Sequence, residues 1–163
     1  MRVLVVADTH IPDHARGLPD VILAEARHAD LILHAGDATQ AAVLESLARF
    51  APVQAVVGNN DDDDVAAWGA QQALELEIGG IAVALIHDAG PARGRAGRMH
   101  RRFPNASVVI FGHSHIPMDV GSEADQVRLV NPGSPTWKRR QPYPTYAIVE
   151  FGGRIDVDIK SIA

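Results

Sequence analysis

Cysteine is absent from the 163 residues. That excludes a disulfide scaffold, thiolate metal ligands and a cysteine nucleophile, and it fits a reducing compartment. Long apolar runs are missing too. The opening run, Val3 to Ala7, is too short for the core of a signal sequence and stops at Asp8. No stretch approaches the roughly 18 apolar residues of a membrane span. These absences lead to the expectation of a soluble, cytoplasmic protein without membrane attachment. Positive charge is also in deficit: 15 Lys and Arg stand against 20 Asp and Glu, a formal net charge of −5. A dedicated nucleic-acid surface is therefore not expected. What is present suffices for one core, with 47% hydrophobic and 21% charged residues. No repeat, low-complexity tract or linker interrupts it, so a single domain over residues 1–163 is expected. Histidine is in surplus, at eight residues, and their positions decide the reading.

Short Val- and Ile-rich runs read as buried strands: Val3–Ala7, Leu31–Leu33, Val53–Val57, Ile81–Ile86, Val108–Phe111, Val127–Val130 and Tyr146–Phe151. Helical patterns separate the early ones. Leu18–Ala29 opens with Pro19, and Thr39 is placed to cap a helix with the apolar stripe Val43, Leu44, Leu47 and Ala48. This β-α-β-α-β order predicts a parallel sheet with crossover helices. In the back half, Leu74–Ile78 and Ile81–Ile86 flank Gly79-Gly80, which predicts a two-residue hairpin turn. Gly152-Gly153, between Ala147–Phe151 and Ile155–Ile159, is expected to repeat it. The sum is a β-rich α/β fold, two packed sheets with helices outside.

Ligand-capable side chains follow these strands. Asp8-Thr9-His10 follows the first, Gly36-Asp37 the second and Gly58-Asn59-Asn60-Asp61 the third. His87 follows Ile81–Ile86, and Gly112-His113-Ser114-His115 follows Val108–Phe111. Carboxyl ends of parallel strands line one crevice, so residues distant in sequence meet there. Asp and His two apart reach one ion if the strand end curls. The two oxygens of Asp37 can bridge a pair of cations, Asn59 offers an amide oxygen, and imidazole offers nitrogen. Mixed N/O donors without sulfur suit Mn²⁺, Fe, Zn²⁺, Ni²⁺ or Co²⁺ better than Ca²⁺. Two such ions about 3.5–4 Å apart clamp the attacking and leaving oxygens of a phosphoryl group. Singly, each residue is an ordinary turn residue. As an ordered set, turns alone give no reason for them.

In that order, Asp8-x-His10, Gly36-Asp37, Gly58-Asn59-x-Asp61, His87 and Gly112-His113-x-His115 resemble the calcineurin-like metallophosphoesterase superfamily. The compact length and Asn131-Pro132-Gly133-Ser134 resemble its small bacterial and archaeal phosphodiesterase branch. The resemblance implies a four-layer α/β/β/α sandwich with two mixed sheets and a metal site at the strand carboxyl ends. It implies two divalent transition-metal ions, Mn²⁺ first, with Ni²⁺, Fe, Zn²⁺ or Co²⁺ as alternatives. Asp8, His10 and His115 would hold one, Asp37 would bridge, and Asn59, His87 and His113 would hold the other. The implied reaction is hydrolysis of a small phosphate ester, phosphodiesters foremost, by a metal-bridged hydroxide, with Asp37, Asn59 and His113 acting through it. Small relatives commonly form dimers or larger assemblies, so a homo-oligomer is compatible.

Two positions depart from the family pattern. Many superfamily phosphatases carry His after the Asn, where it protonates the leaving group; this chain has Asn60, and an amide is no useful acid. Asp88 follows His87 where Gly is common; it would either support the site or crowd it. Asn60 and Arg139 are candidate substrate contacts. The Arg93–Arg102 segment and Lys138-Arg139-Arg140 are read as solvated basic faces or as anion-attracting ones. Trp137 either packs on its own loop or stacks on a base. His34 either orients Asp37 or is a hydrogen-bonded core residue. His14, His28 and His100 are expected at the surface, and Asp61–Asp64 in a charged loop. Two rivals remain: a non-enzymatic protein-binding scaffold, as this fold serves in the retromer complex, and a phosphomonoesterase or nuclease using the same site.

Overall fold

The computed structural model describes residues 1–121 and 126–163. Residues of alternate parity in β1 (Arg2–Val6) enter different cores: Val3 and Val5 one, Leu4 and Val6 another. A strand buried on both faces reads as a continuous apolar run, and β1 is the middle of a five-stranded sheet. On one side lie β2 (Leu31–His34) and β3 (Val53–Ala55), parallel to β1 and reached through α1 (Asp20–Ala26) and α2 (Ala41–Ala48). On the other lie β9 (Thr145–Phe151) and β10 (Ile155–Ser161), paired antiparallel. The second sheet runs β4 (Ala73–Ile78), β5 (Ile81–Ile86), β6 (Val108–Ile110), β8 (Arg128–Asn131), β7 (Met118–Val120). Its three inner strands are parallel and its two edges antiparallel.

Three apolar clusters define the layers. Val3, Val5 and Leu33 meet Val83, Leu85 and Ile110 between the sheets. Leu4, Val6 and Ile32 pack against Ile22 of α1, Leu44 and Leu47 of α2, and Val65 of α3 (Asp63–Trp68). Ala84, Val109 and Phe111 pack against Met99 of α4 (Arg95–Arg102). This is the expected α/β/β/α sandwich. Among the described residues, no helix is long and apolar enough to cross a membrane.

Several local expectations are corrected. Thr39 does not cap α2: its φ is 76°, Gln40 holds the cap position, and Asp64 accepts the Ala41 N–H at 3.0 Å from a neighbouring helix. Gly79 and Gly80 form the expected turn, with φ of 59° and 79° and Ile78 opposite Ile81. Gly152-Gly153 does not repeat it. Phe151 pairs with Ile155, so the loop holds three residues, and neither glycine has a positive φ. The exposed Asp62–Asp64 run is not only a loop, because α3 begins at Asp63, with acidic residues favourably placed in its first turn.

One ion network stitches α1 to the first sheet. Glu25 pairs with Arg2, accepts the Tyr146 hydroxyl at 3.1 Å and lies 3.5 Å from Lys160 Nζ. Burial pushes the Glu25 carboxyl up, but the Tyr146 bond and the Lys160 and Arg2 charges outweigh it and hold it below its usual value. A depressed carboxylate stabilises the fold above its unfolded pKa, and that contribution fades as pH falls through the folded one. Glu25→Gln is therefore expected to cost about 1–2 kcal/mol near neutrality. Urea midpoints of variant and wild type should converge as pH falls below about 4, the ordinary Glu range.

Candidate metal centre

The loops after the strands adopt a backbone shape that few side chains tolerate. Asp8 (φ 54°), His10 (44°), Asp37 (56°), His113 (66°) and His115 (58°) all lie in the left-handed region. Such non-glycine residues cost free energy and persist where the surroundings over-determine them. Here, Asp8 N–H donates to Gly36 O (2.9 Å) and His10 N–H to Asp37 O (3.0 Å). The Asp61 carboxylate accepts N–H groups from Asp37 (3.2 Å), Thr39 (2.7 Å) and Gly58 (2.6 Å). Ser134 Oγ donates to Asp8 O (2.7 Å), and Asn131 Nδ2 to Gly112 O (2.9 Å). The Asn-Pro-Gly-Ser segment thus braces two ligand-bearing loops at once.

Curled this way, alternate residues aim at one spot. His10 Nε2 lies 3.2 Å from His115 Nε2, which lies 3.5 Å from Asp8 Oδ1. Asp37 Oδ2 is 3.5 Å from His10 Nε2 and 3.4 Å from His87 Nε2, so it reaches both halves of the cluster. Asn59 Oδ1 is 3.0 Å from His87 Nε2 and 3.0 Å from His113 Nδ1. Among the described residues, two sets of donor atoms are close enough to hold a cation: Asp8, His10 and His115, and Asp8, Asp37 and His87. Asp8 belongs to both sets, a sharing that sequence reasoning assigned to Asp37 alone. Five of these side chains are nearly inaccessible, from 0% exposed at Asp8 to 5% at His87, whereas Asn59 and His113 are exposed. The site is closed beneath and open on that side.

Two backbone carbonyls orient the imidazoles. His115 Nδ1 donates to Trp137 O (2.7 Å) and His87 Nδ1 to Ala35 O (2.8 Å), so each ring turns Nε2 into the cluster. Burial pulls the His115 pKa down to about 4 and lowers that of His10, keeping both neutral, the form that binds metal. Burial pushes the Asp8 carboxyl up to about 8. It also pushes Asp37 up, but hydrogen bonding and charge from His87, with two bonds from Asn60, prevail and hold Asp37 far below its usual range. His87 is raised in return: burial lowers it, and the Asp37 bond and charge outweigh that.

These residues fit divalent transition metals. Asp8 Oδ2 is buried and, among the described residues, has no hydrogen-bond partner, a costly position for a carboxylate oxygen unless a cation or proton compensates it. Paired imidazole Nε2 atoms, two carboxylates and an amide oxygen form a sulfur-free N/O donor set.

The remaining candidates separate. Asn60 is exposed but tied to the cluster: its N–H donates to Asp37 Oδ1 and its Nδ2 to Asp37 Oδ2, both at 2.8 Å. Arg139 stands at the rim, its Nη1 3.5 Å from His113 O. Asp88 does not crowd the site; it is exposed and accepts the Gly90 N–H at 2.7 Å. His34 is a core residue bonded through Nε2 to Thr9 Oγ1 (3.1 Å), with its pKa pulled to about 3 by burial. Trp137 packs against His14, ring centroids 3.6 Å apart. His14 and His28 are exposed, but His100 is only partly so, and its Nδ1 is buried. Sequence reasoning missed the carbonyls of Ala35 and Trp137 and the bracing by Asp61. Only the Asp61 motif position hinted at them.

A model of the calcineurin-like phosphoesterase superfamily domain matches residues 1–154. A probable metallophosphoesterase of Methanothermobacter thermautotrophicus is 34% identical over 163 residues, 98% of this chain and 91% of that protein. Among solved structures, Entamoeba histolytica Vps29 complexed with Zn²⁺ matches with a TM-score of 0.78, 20% identity and 99% of both chains covered. A structure described as a novel archaeal phosphodiesterase matches with a TM-score of 0.73 and 19% identity, over 98% of this chain and 100% of that one. At those identities, the two structures speak for the fold alone.

Proposed function

The chain belongs to the calcineurin-like phosphoesterase superfamily, and from that premise we propose that it hydrolyses small phosphate esters, phosphodiesters foremost, at a dinuclear metal centre. Asp8, His10 and His115 would hold one ion, Asn59, His87 and His113 the other, and Asp37 would join them. Mn²⁺ is the first candidate, with Ni²⁺, Fe, Zn²⁺ and Co²⁺ compatible with the same donors. Bound there, the ions supply Lewis acidity, which lowers the pKa of water and offsets charge developing on phosphoryl oxygens. The observation that carries this reading is the convergence of buried Asp8, Asp37, His10, His87 and His115, with an uncompensated oxygen on Asp8.

The chain's own groups do the rest. The Ala35 and Trp137 carbonyls hold two imidazoles in the ligating tautomer. Asn60 fixes both oxygens of Asp37, which keeps that carboxylate ionised and oriented. Substrate reaches the open side, where Asn59 and His113 are exposed and Arg139 offers a cation to a phosphoryl oxygen. Asn60 cannot protonate a departing alkoxide, so esters with poor leaving groups react slowly.

Metal-free protein reconstituted with Mn²⁺ is expected to hydrolyse bis(p-nitrophenyl) phosphate with kcat/KM about 100-fold above that for a simple alkyl phosphate monoester, the scale of one missing general acid. A preference for the alkyl monoester would contradict the phosphodiesterase reading. Inactivity with every metal, together with a tight protein partner, would instead favour a scaffold.

A further inference from the structure

The arginines that follow His87 divide by what they touch. Arg95 donates to Gly90 O through Nε (3.0 Å) and Nη2 (2.7 Å), and its guanidinium sits 4.9 Å from the Phe111 ring centroid. Arg98 donates to the carbonyls of Ala89 (3.2 Å), Arg93 (2.8 Å) and Pro91. These two brace the turn before α4. Arg101 and Arg102 are exposed, and among the described residues neither has a carboxylate partner; Arg102 rests 5.4 Å from the Phe103 ring centroid. Cations in a last helical turn complement its carbonyl end. That accounts for their sign but not for their place.

Arg102 lines a cleft of about 350 Å³ whose wall also contains Asn59, His87 and His113, the side on which the metal centre opens. Its neighbour, a cleft of about 480 Å³, shares Arg102 and Asp88 with the first and adds Arg101. A trough therefore leads from the open side of the centre to two uncommitted guanidiniums. Asp88, the one acid lining it among the described residues, turns Oδ1 to the Gly90 N–H. Arg101 and Arg102 both line the second cleft, and guanidiniums there suit a dianion, because each presents a planar fork of donors to phosphate oxygens.

We infer that the substrate is a phosphodiester bearing a second phosphate on one substituent, and that Arg102, backed by Arg101, receives it at the far end of this trough. The inference rests on the phosphoesterase reading and adds the substrate class. Arg102 is here a specificity residue: it touches the second phosphate, away from the reacting one.

The test uses the full chain loaded with Mn²⁺ and two chromogenic diesters, thymidine 5′-(p-nitrophenyl phosphate) and the same compound carrying a 3′-phosphate. The phosphorylated diester is expected to show a kcat/KM about tenfold higher, mainly through KM, the scale of a charge-assisted hydrogen bond. R102Q should bring the ratio between the two diesters close to one, and R102K should restore it only in part. Equal turnover of both diesters by wild type, or an undiminished ratio in R102Q, would overturn the inference. A second arm needs no turnover: calorimetric binding of thymidine 3′,5′-bisphosphate should be about tenfold tighter than that of thymidine 5′-phosphate, and R102Q should erase the difference. Binding that discriminates without hydrolysis of either diester would fail the phosphoesterase reading alone. Equal affinities would fail the Arg102 site, whatever the hydrolysis.

Discussion

Replacing Asp37 with Asn is expected to lower kcat/KM for bis(p-nitrophenyl) phosphate by about a thousandfold, or about 4 kcal/mol of transition-state stabilisation. The substitution keeps the shape and removes the charge. Asp37 Oδ2 stands between His10 and His87, at 3.5 and 3.4 Å, so this single oxygen reaches both halves of the cluster. Its depressed pKa shows that the folded protein spends hydrogen bonds from His87 and Asn60 on keeping this one carboxylate ionised. An amide in its place still accepts the Asn60 N–H but could not neutralise the two cations of the proposed centre. Circular dichroism should show a folded variant, which separates loss of chemistry from loss of structure. Hydrolysis within about tenfold of wild type would mean that Asp37 is not the bridging ligand.

The second large effect comes from a residue with no side chain. A Cβ at position 58 would lie 2.1 Å from Asp37 Oδ1 and 2.3 Å from Asp37 N, far inside any real contact. Gly58 does not occupy the left-handed region, so backbone strain is not the issue; the loop after β3 simply runs against Asp37. Gly58→Ala must push Asp37 or its own loop aside and break the Asp61 bond to the Gly58 N–H. A cost of about 2–3 kcal/mol is expected from overpacking, read as a lowered urea midpoint, with metal affinity falling alongside. Gly153→Ala is the control. Its Cβ meets nothing within 4 Å and its φ is ordinary, so stability should change by no more than about 0.5 kcal/mol. Equal effects of the two substitutions would show that the close approach at Gly58 is unimportant.

Much of this arrangement is legible in the sequence. Buried strands announce themselves as apolar runs, and the residues after β1, β2, β3, β5 and β6 stood out because their types bind metals. What escaped was of two kinds. Some features depend on contacts across the chain: the Trp137 carbonyl that orients His115 is 22 positions away, and the Ala35 carbonyl that orients His87 is 52. A backbone carbonyl carries no sequence signal, so such partners appear only once the sheets are packed. Other features were misread because a side chain had two good uses. Thr39 resembles a helix cap, yet the site needs its N–H on Asp61 and its backbone left-handed. Asp61 sat in a run of four acids that resembled solvated charge, and its carboxylate instead gathers three N–H groups beneath Asp37. Similarly, Gly152-Gly153 suggested a two-residue turn, and the strand register added Arg154 to the loop.

The most direct measurement is the number of ions the chain holds. Calorimetric titration of chelator-stripped protein with Mn²⁺ should give two ions per chain, with hydrolysis of bis(p-nitrophenyl) phosphate appearing as the sites fill and disappearing again with chelator. A chain that binds no Mn²⁺ or other divalent transition metal, or that hydrolyses the diester equally well when stripped, would contradict a dinuclear centre built on Asp8, His10, Asp37, Asn59, His87, His113 and His115.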